Sequence, residues 1–291
     1  MSSTNILEPP RTRRVSRSAR KSAAWAPAPD IAIPAGMLLL IFALLMLPAV
    51  CPIPEPVGGN VLDANQPIFS AAHLLGTDAN GNDVGSRLLY GGRTSLLIAF
   101  VVNLLGLVIG SSLGAMGAYL GGIADTVIMR LLDILIAFPS LILVLAIAQA
   151  LGPSESNIIW ALTFFAVPAF ARVARASTLR LREEPFMLAA ALSGTALWRV
   201  LARHIAPNIL PQLATFALLG MSAVINIEGA VSFLGLGIAQ PQPSWGNMIY
   251  QGQLTLAAIP ALVLLPSTCL VITALSFNLL SEALRARWEK K

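Results

Sequence analysis

The stretch LLIAFVVNLLGLVIGSSLGAMGA, residues 96–118, carries no charged side chain and decides the fold class. A helix needs about 20 residues to cross the ~30 Å hydrocarbon core of a bilayer, and this stretch is long enough to do so. Gly106, Gly110 and Gly114 recur at every fourth position and Ala118 continues the row, so one face of the helix is nearly flat. Such a face predicts that a second membrane helix packs closely against it.

Five further apolar blocks flank this stretch, at residues 31–50, 134–151, 158–171, 209–231 and 254–280. Over the whole chain 56% of the residues are hydrophobic and 11% are charged, which is far from the composition of a soluble domain. The blocks are continuously apolar and do not alternate, so helices are favoured over a β-barrel. We therefore predict an all-α integral membrane protein with six transmembrane helices. The first block begins too far along the chain for a signal peptide and is predicted to be a retained span.

The charges are distributed unevenly around these spans. If the N-terminus is cytoplasmic, all of the 19 lysines and arginines except Arg87 and Arg93 fall on the cytoplasmic side. This is the positive-inside asymmetry of membrane proteins, and it accounts for the net charge of +5 without a nucleic-acid partner. Both termini are therefore predicted to be cytoplasmic, with residues 1–30 a disordered basic tail and residues 285–291 a second tail. The first tail serves either as a topology signal or also as a contact to anionic membrane lipid.

The predicted transmembrane domain, residues 31–284, contains three polar segments. Two are external, at residues 51–94 and 232–253, and the third, at 172–207, is cytoplasmic. In the third, Pro185 suits the first turn of a helix, and Ser193 with Gly194 suits its end. We predict one short helix there, followed by a second helix capped by Thr195. Topology alone does not require the apolar run from Phe186 to Leu192 outside the membrane, so this run predicts a docking surface.

Several polar residues and prolines within the spans call for an explanation. Asp133 is predicted to pair with Arg130 near the cytoplasmic end of its span. Glu228, with Asn226 nearby, is predicted either to face a transport pathway or to bond a neighbouring subunit; both alternatives stay open at this point. Four prolines also lie within the predicted spans: Pro139, Pro168, Pro260 and Pro266. Kinked and tightly bundled helices are their ordinary explanation, and a gating hinge is the alternative.

Catalytic and metal chemistry find little support in the sequence. The three lysines are Lys21, Lys290 and Lys291, and none follows a glycine, so the chain has no phosphate-binding P-loop. The oxygens of residues 78–83 fail the spacing of a calcium loop, and turn chemistry explains them better. We predict no catalytic residue, no metal site, no disulfide between Cys51 and Cys269, and no cofactor in this chain.

A family resemblance rests on motifs that cover about residues 30–288. The external run from His73 to Arg93 resembles the signature of the C-type membrane subunit of dipeptide and oligopeptide ABC importers. Its matching residues include Gly76, Thr77, Asp78, Gly81, Asp83 and Arg87. Similar matches occur at residues 129–139, 232–237 and 243–246. The resemblance implies the permease fold of type I ABC importers in a bacterial inner membrane.

The resemblance also implies how the chain is driven. In that family a cytoplasmic helix pair with a Glu-Ala-Ala…Gly motif sits in a groove of the ATPase. Here Leu188 stands where the motif has Glu, so coupling through that charge is not expected. Burial of apolar side chains in the ATPase groove remains as the interaction that holds the two subunits together. The coupling residues implied by the match are Phe186, Leu188, Ala189, Ala190, Leu192, Gly194, Arg203, His204 and Pro207. The implied partners are a homologous second permease, two ATPase subunits that bind ATP and Mg, and an extracytoplasmic peptide-binding protein.

Other functions remain as alternatives. Permeases with the same motifs import nickel or glutathione. A self-sufficient secondary carrier driven by a proton through Glu228 belongs to a different class and predicts uptake by this chain alone. An exporter or a membrane enzyme is less favoured, because the sequence shows no convergent set of His, Ser or Cys.

Overall fold

The computed structural model describes residues 29–70 and 72–288, and nothing is said of the side chain of Ala191. The described chain is helical, with one isolated antiparallel bridge between Thr77 and Asp83, which confirms the predicted all-α class. The predicted tail at residues 1–30 lies almost entirely outside the described residues. The helices are α1 (Pro29–Val50), α2 (Val84–Leu105), α3 (Ser111–Leu120), α4 (Gly122–Ile136), α5 (Ser140–Leu151), α6 (Glu155–Arg182), α7 (Pro185–Leu192), α8 (Leu197–Arg199), α9 (Ala206–Phe233), α10 (Trp245–Gly252) and α11 (Ala261–Trp288).

Six spans can be assigned within the described part of the chain. Five helical stretches are long and apolar enough to cross a membrane: Pro29–Val50, Val84–Leu120, Glu155–Arg182, Leu197–Phe233 and Ala261–Trp288. The second and fourth stretches are continuous because π-helical turns, Gly106–Gly110 and Val200–Ile205, join α2 to α3 and α8 to α9. The pair α4 and α5, bent by 73°, supplies the sixth span if it is counted as one.

The third span is broken at Pro139, one of the prolines at which the sequence predicts a kink or a hinge. The helix α4 ends at Ile136, and α5 begins at Ser140 directly after Pro139. A proline has no N–H to donate and its ring clashes with the preceding turn, so the helix stops there. The break at Pro139 thus takes the form of two helices at 73°, a sharper bend than the predicted kink.

The last span is shifted relative to its predicted block. The block at 254–280 places Pro260 inside the span, but α11 begins at Ala261, after a short 3₁₀ turn at Gln253–Thr255. The helix then continues to Trp288, so residues 285–288 of the predicted C-terminal tail form its last turn. Pro266 does lie inside this helix, and Pro168 lies inside α6.

The flat glycine face meets a second helix, as predicted. A Cβ added to Gly110 would stand 2.3 Å from the carbonyl oxygen of Val167, and one added to Gly106 would stand 2.8 Å from the Cβ of Ala166. Both neighbours belong to α6, so α6 packs backbone to backbone on the α2–α3 stretch. Small residues allow this approach, which gives membrane helices their closest contacts.

The helix α10 lies in the predicted external loop 232–253 and packs on one end of the helix bundle. Trp245 at its start is 2% exposed, and its Nε1 donates to the carbonyl oxygen of Leu88 at 3.0 Å. Ser244 caps the helix by accepting from the backbone N–H of Asn247. Residues 84–94, predicted as the end of a separate external segment, instead form the first turns of α2.

Candidate functional site

The short helix α7 lies outside the spans, between the end of α6 and the start of the stretch that leads into α9. It begins at Pro185, as predicted, and the carbonyl oxygen of Glu184 accepts from the backbone N–H of Met187 at 3.0 Å. Proline fits the first turn because no intrahelical partner is needed for its missing N–H. The chain therefore turns from α6 into a new helix at a position that the sequence marks.

The end of α7 confirms one prediction and corrects another. Gly194 has φ +67°, and the backbone N–H of Thr195 donates to the carbonyl oxygen of Ala190 at 3.2 Å. This is the bond of a Schellman motif, in which glycine takes the left-handed position, as predicted. Thr195 does not cap the next helix, however. Its hydroxyl lies 2.9 Å from that of Ser193, and the cap position falls on Ala196.

The inner face of α7 is anchored to the bundle. Met187 is 2% exposed and belongs to an apolar cluster with residues of α6 and α9 and of the π-helical turn, including Phe170, Val200, Ile205 and Ile209. Ala190 is also buried, and the ring of Phe186 lies 6.3 Å from that of His204. Packed side chains of this cluster therefore connect α7 to α6 and α9.

The outer face of α7 and of α8 carries exposed apolar side chains, which we call the α7 patch. Leu188 is 63% exposed, Leu192 81% and Trp198 65%, and Phe186 is exposed at the edge. Large exposed apolar side chains of this kind mark sites of interaction with another protein or with a membrane. Among the other predicted coupling residues, Ala189, Gly194, Arg203 and Pro207 are also exposed, His204 is half-buried, and Ala190 faces inward.

The external signature residues build a rigid turn ahead of α2. Arg87 Nη1 donates to Asp78 Oδ2 at 2.6 Å, and Arg87 is only 2% exposed. Asp78 Oδ1 also accepts from the backbone N–H groups of Asn80 and Asn82, at 2.8 Å and 2.9 Å. The predicted turn chemistry is thus observed.

Asp83 fixes the start of α2 within this turn. Its Oδ1 accepts from the backbone N–H of Ser86 at 2.7 Å, and its Oδ2 lies 2.9 Å from His73 Nδ1. Gly76 and Gly81 have positive φ, and a Cβ on Gly81 would stand 1.9 Å from the carbonyl oxygen of Asn60. The signature is therefore explained by backbone geometry and an N-cap.

Two ion pairs hold α4 against α6. Asp133 Oδ1 accepts from Arg172 Nη2 at 2.8 Å, so the predicted pairing of Asp133 with Arg130 is wrong. The helical spacing allows a bond to Arg130, but the bond forms instead with the guanidinium of Arg172 on α6. Arg175 binds Asp125 through two bonds of 2.7 Å and 2.6 Å, a pair that no local spacing reveals.

Glu228 lies inside the subunit, among side chains of α2 and α9. It is fully buried, and it accepts from Ser95 of α2 at 3.0 Å and from Ser232 of its own helix at 2.7 Å. Ser95 also accepts from the backbone N–H of Trp245 at 3.3 Å. The carboxyl group thus links α9, α2 and α10. Asn226, predicted beside it, is exposed on the surface of the subunit.

The chain was compared with known families and proteins. Residues 93–291 match the family described as "Binding-protein-dependent transport system inner membrane component". Over 222 residues the chain is 36% identical to a glutathione transport system permease protein of Pectobacterium atrosepticum, covering 76% of this chain and 74% of that protein. It is 37% identical, over 76% of this chain and 73% of the other, to a dipeptide transport system permease protein of Alkalihalophilus pseudofirmus.

Solved structures with a similar fold are also transporter subunits. An inward-facing MetNI methionine ABC transporter chain matches with a TM-score of 0.54 at 20% identity, over 69% of this chain and 95% of that one. A chain of an amino acid ABC transporter matches with a TM-score of 0.52 at 15% identity, over 70% of this chain and 94% of that one. At this identity the likeness concerns the fold, and it agrees with the predicted type I importer permease fold.

Proposed function

This chain belongs to the family of binding-protein-dependent transport system inner membrane components, and we propose that it is the permease subunit of an ATP-driven importer of peptides. The relatives support the cargo, since they are named for dipeptide, D,D-dipeptide and glutathione transport. Glutathione is itself a small peptide-like molecule, and it remains the second candidate because a relative at 36% identity is named for it.

The α7 patch is the observation that carries the proposal. Leu188 and Leu192 project from a helix that lies outside the spans but is anchored to them through Met187. Burial of each leucine in a groove of a partner would stabilise the complex by about 1.5–3 kcal/mol. We assign this groove to an ATPase subunit, because importers of this family work with ATP-hydrolysing partners and this chain has no P-loop sequence.

The orientation follows from charge. The segment at 172–207 carries six arginines, and the N-terminal 30 residues carry six further basic residues. Basic segments stay on the cytoplasmic side, so the proposal places the α7 patch, α6's C-terminal end and both termini there. The turn at Asp78 to Arg87 and the helix α10 then lie outside, where a binding protein delivers the peptide.

The packing supports a mechanical coupling. When ATP binding closes the two ATPase subunits, a groove that holds Leu188 and Leu192 moves α7 with it. Met187 passes this movement to α6 and to the start of α9, since its side chain belongs to the apolar cluster that contains residues of both. The tight contact of α6 with the glycine face then carries α2 and α3 along, and the bundle opens toward the outside. This chain makes and breaks no bond.

Crosslinking tests the docking directly. A cysteine at Leu192, in a chain whose Cys51 and Cys269 are replaced by serine, is expected to crosslink to an ATPase subunit in the assembled complex. Ala190→Cys is the matched control, because it lies on the same helix but is buried. If Leu192→Cys gives no crosslink in an intact complex while a cysteine at another exposed cytoplasmic position does, the docking proposal fails.

A further inference from the structure

A cavity of about 660 Å³ lies between α6, α9 and α11, at the end of the bundle that also carries α7. Arg180, Arg285 and Trp288 line it, and all three lie in the last turns of their helices. Its size falls within the range of ligand pockets. None of the external signature residues, the α7 patch or the Glu228 network contributes to its wall, so the proposed transport function leaves it unexplained.

The wall of this cavity is charged at the mouth, and deeper it mixes apolar side chains with the polar Asn208, Gln212, Thr215 and Ser281. Val173 precedes Arg180 by about two helical turns, which places it about 10 Å deeper along α6. Phe216 and Leu219 lie about 15–20 Å along α9 from its first residue, Ala206. A ligand that fills this space therefore meets guanidinium groups at the mouth, and apolar side chains together with hydroxyl and amide groups toward the span.

The charged side chains that the described residues place in the wall are both basic. Two guanidinium groups line the cavity, and no carboxylate is found in its wall among the described residues. Arg180 is exposed, and its guanidinium donates no hydrogen bond to any residue in the described range. Arginine binds phosphate oxygens in a bidentate manner, which makes phosphate the anion that this pair suits best.

We propose that this cavity binds an anionic phospholipid, with its phosphate on Arg180 and Arg285 and its first acyl carbons against Val173, Phe216 and Leu219. Basic pockets between membrane helices on the cytoplasmic side bind such headgroups. Trp288 lies at the end of its span, and aromatic side chains favour the boundary between lipid headgroups and water. The lipid joins the end of α6, which leads into α7, to the end of α11.

The proposal is tested by native mass spectrometry of the assembled, delipidated transporter titrated with phosphatidylglycerol. Arg180→Gln and Arg285→Gln are each expected to weaken binding about five-fold, and the double variant about thirty-fold. Arg287→Gln is the matched control, since it removes the same charge from the same helical turn outside the cavity. Arg180→Lys keeps the charge and is expected to retain most of the binding.

The comparison of ligands separates the possible sources of the anion. Phosphatidylglycerol is expected to bind, phosphatidylcholine to bind at least ten-fold more weakly, and soluble glycerol phosphate not to compete at millimolar concentration. Equal binding of the two lipids, or an equal loss in Arg287→Gln, contradicts the proposal. Competition by glycerol phosphate assigns the site to a free anion, and displacement of the lipid by a transported peptide assigns it to the pathway; either result also overturns it.

Discussion

Gly114 of α3 lies directly beneath the carbonyl oxygen of Ala171 in α6, so closely that a Cβ on Gly114 would stand 2.0 Å from that oxygen. No rotation of a side chain relieves such a contact, because both partners are backbone. At this point the two helices approach closely because Gly114 has no methyl group, as they do at Gly110. The close packing of α6, which the proposed coupling uses, therefore depends on this glycine.

Gly114→Ala is expected to separate the two helices and to destabilise the chain by about 3 kcal/mol or more, since overpacking against backbone cannot relax locally. Thermal unfolding of the purified protein measures this loss. Gly36→Ala is the control, because Gly36 lies in α1 with nothing within 4 Å of the added Cβ. An equally small effect of both substitutions would contradict the packing described here.

Arg87→Met is expected to destabilise the external turn by about 3–5 kcal/mol, because it leaves the carboxylate of Asp78 buried without its cation. Asp78→Asn is expected to cost less, since the amide oxygen still accepts from the backbone at Asn80 and Asn82. Glu55→Gln removes an exposed charge from the same segment and serves as the control. Thermal unfolding distinguishes them, and a loss for Glu55→Gln equal to that for Arg87→Met would show that net charge, not the buried pair, matters.

The double variant Leu188→Ala, Leu192→Ala is expected to reduce ATP-driven uptake by about ten-fold or more, because it removes two apolar side chains whose burial in the partner is worth about 1.5–3 kcal/mol each. Its stability should change by less than about 0.5 kcal/mol, since both side chains are exposed in the free chain. Leu62→Ala is the control, because Leu62 is an exposed leucine in the predicted external segment 51–94. Unchanged uptake in the double variant would exclude the α7 patch from coupling.

Glu228→Gln is expected to keep most of the ATP-driven uptake. The amide oxygen accepts from one serine and the amide nitrogen donates to the other, so the link between Ser95 and Ser232 survives. Glu228→Ala removes both bonds and is expected to destabilise the chain by about 2 kcal/mol. A secondary carrier that moves a proton through Glu228 predicts a different result for uptake. In that case the Gln variant would fold normally and lose all uptake.

Local sequence patterns predicted much of this structure. The apolar blocks, the Gly106 to Gly114 face, the helix start at Pro185 and its end at Gly194 all follow from spacing or from backbone preference, which act within a few residues. Turn chemistry at Asp78 belongs to the same class. Each of these features is decided by a physical rule that needs no knowledge of distant parts of the chain.

The errors have a common cause. Asp133 has a possible partner three residues away, yet it binds Arg172 of another helix, and the position of α6 cannot be read from local spacing. Two contacts that no prediction addressed, the bond of Glu228 to Ser95 and the burial of Ala190, also depend on tertiary packing. At Pro139 the sequence did carry the signal, but proline in a membrane helix leads either to a kink or to a break, and the neighbouring helices decide which one occurs.

Reconstitution in proteoliposomes tests the central claim most directly, by measuring the accumulation of a labelled dipeptide. The account predicts uptake only when this chain is assembled with a second permease, the ATPase subunits and a binding protein, and only with ATP on the side of the α7 patch. Uptake by this chain alone, driven by a proton gradient without ATP, would contradict it.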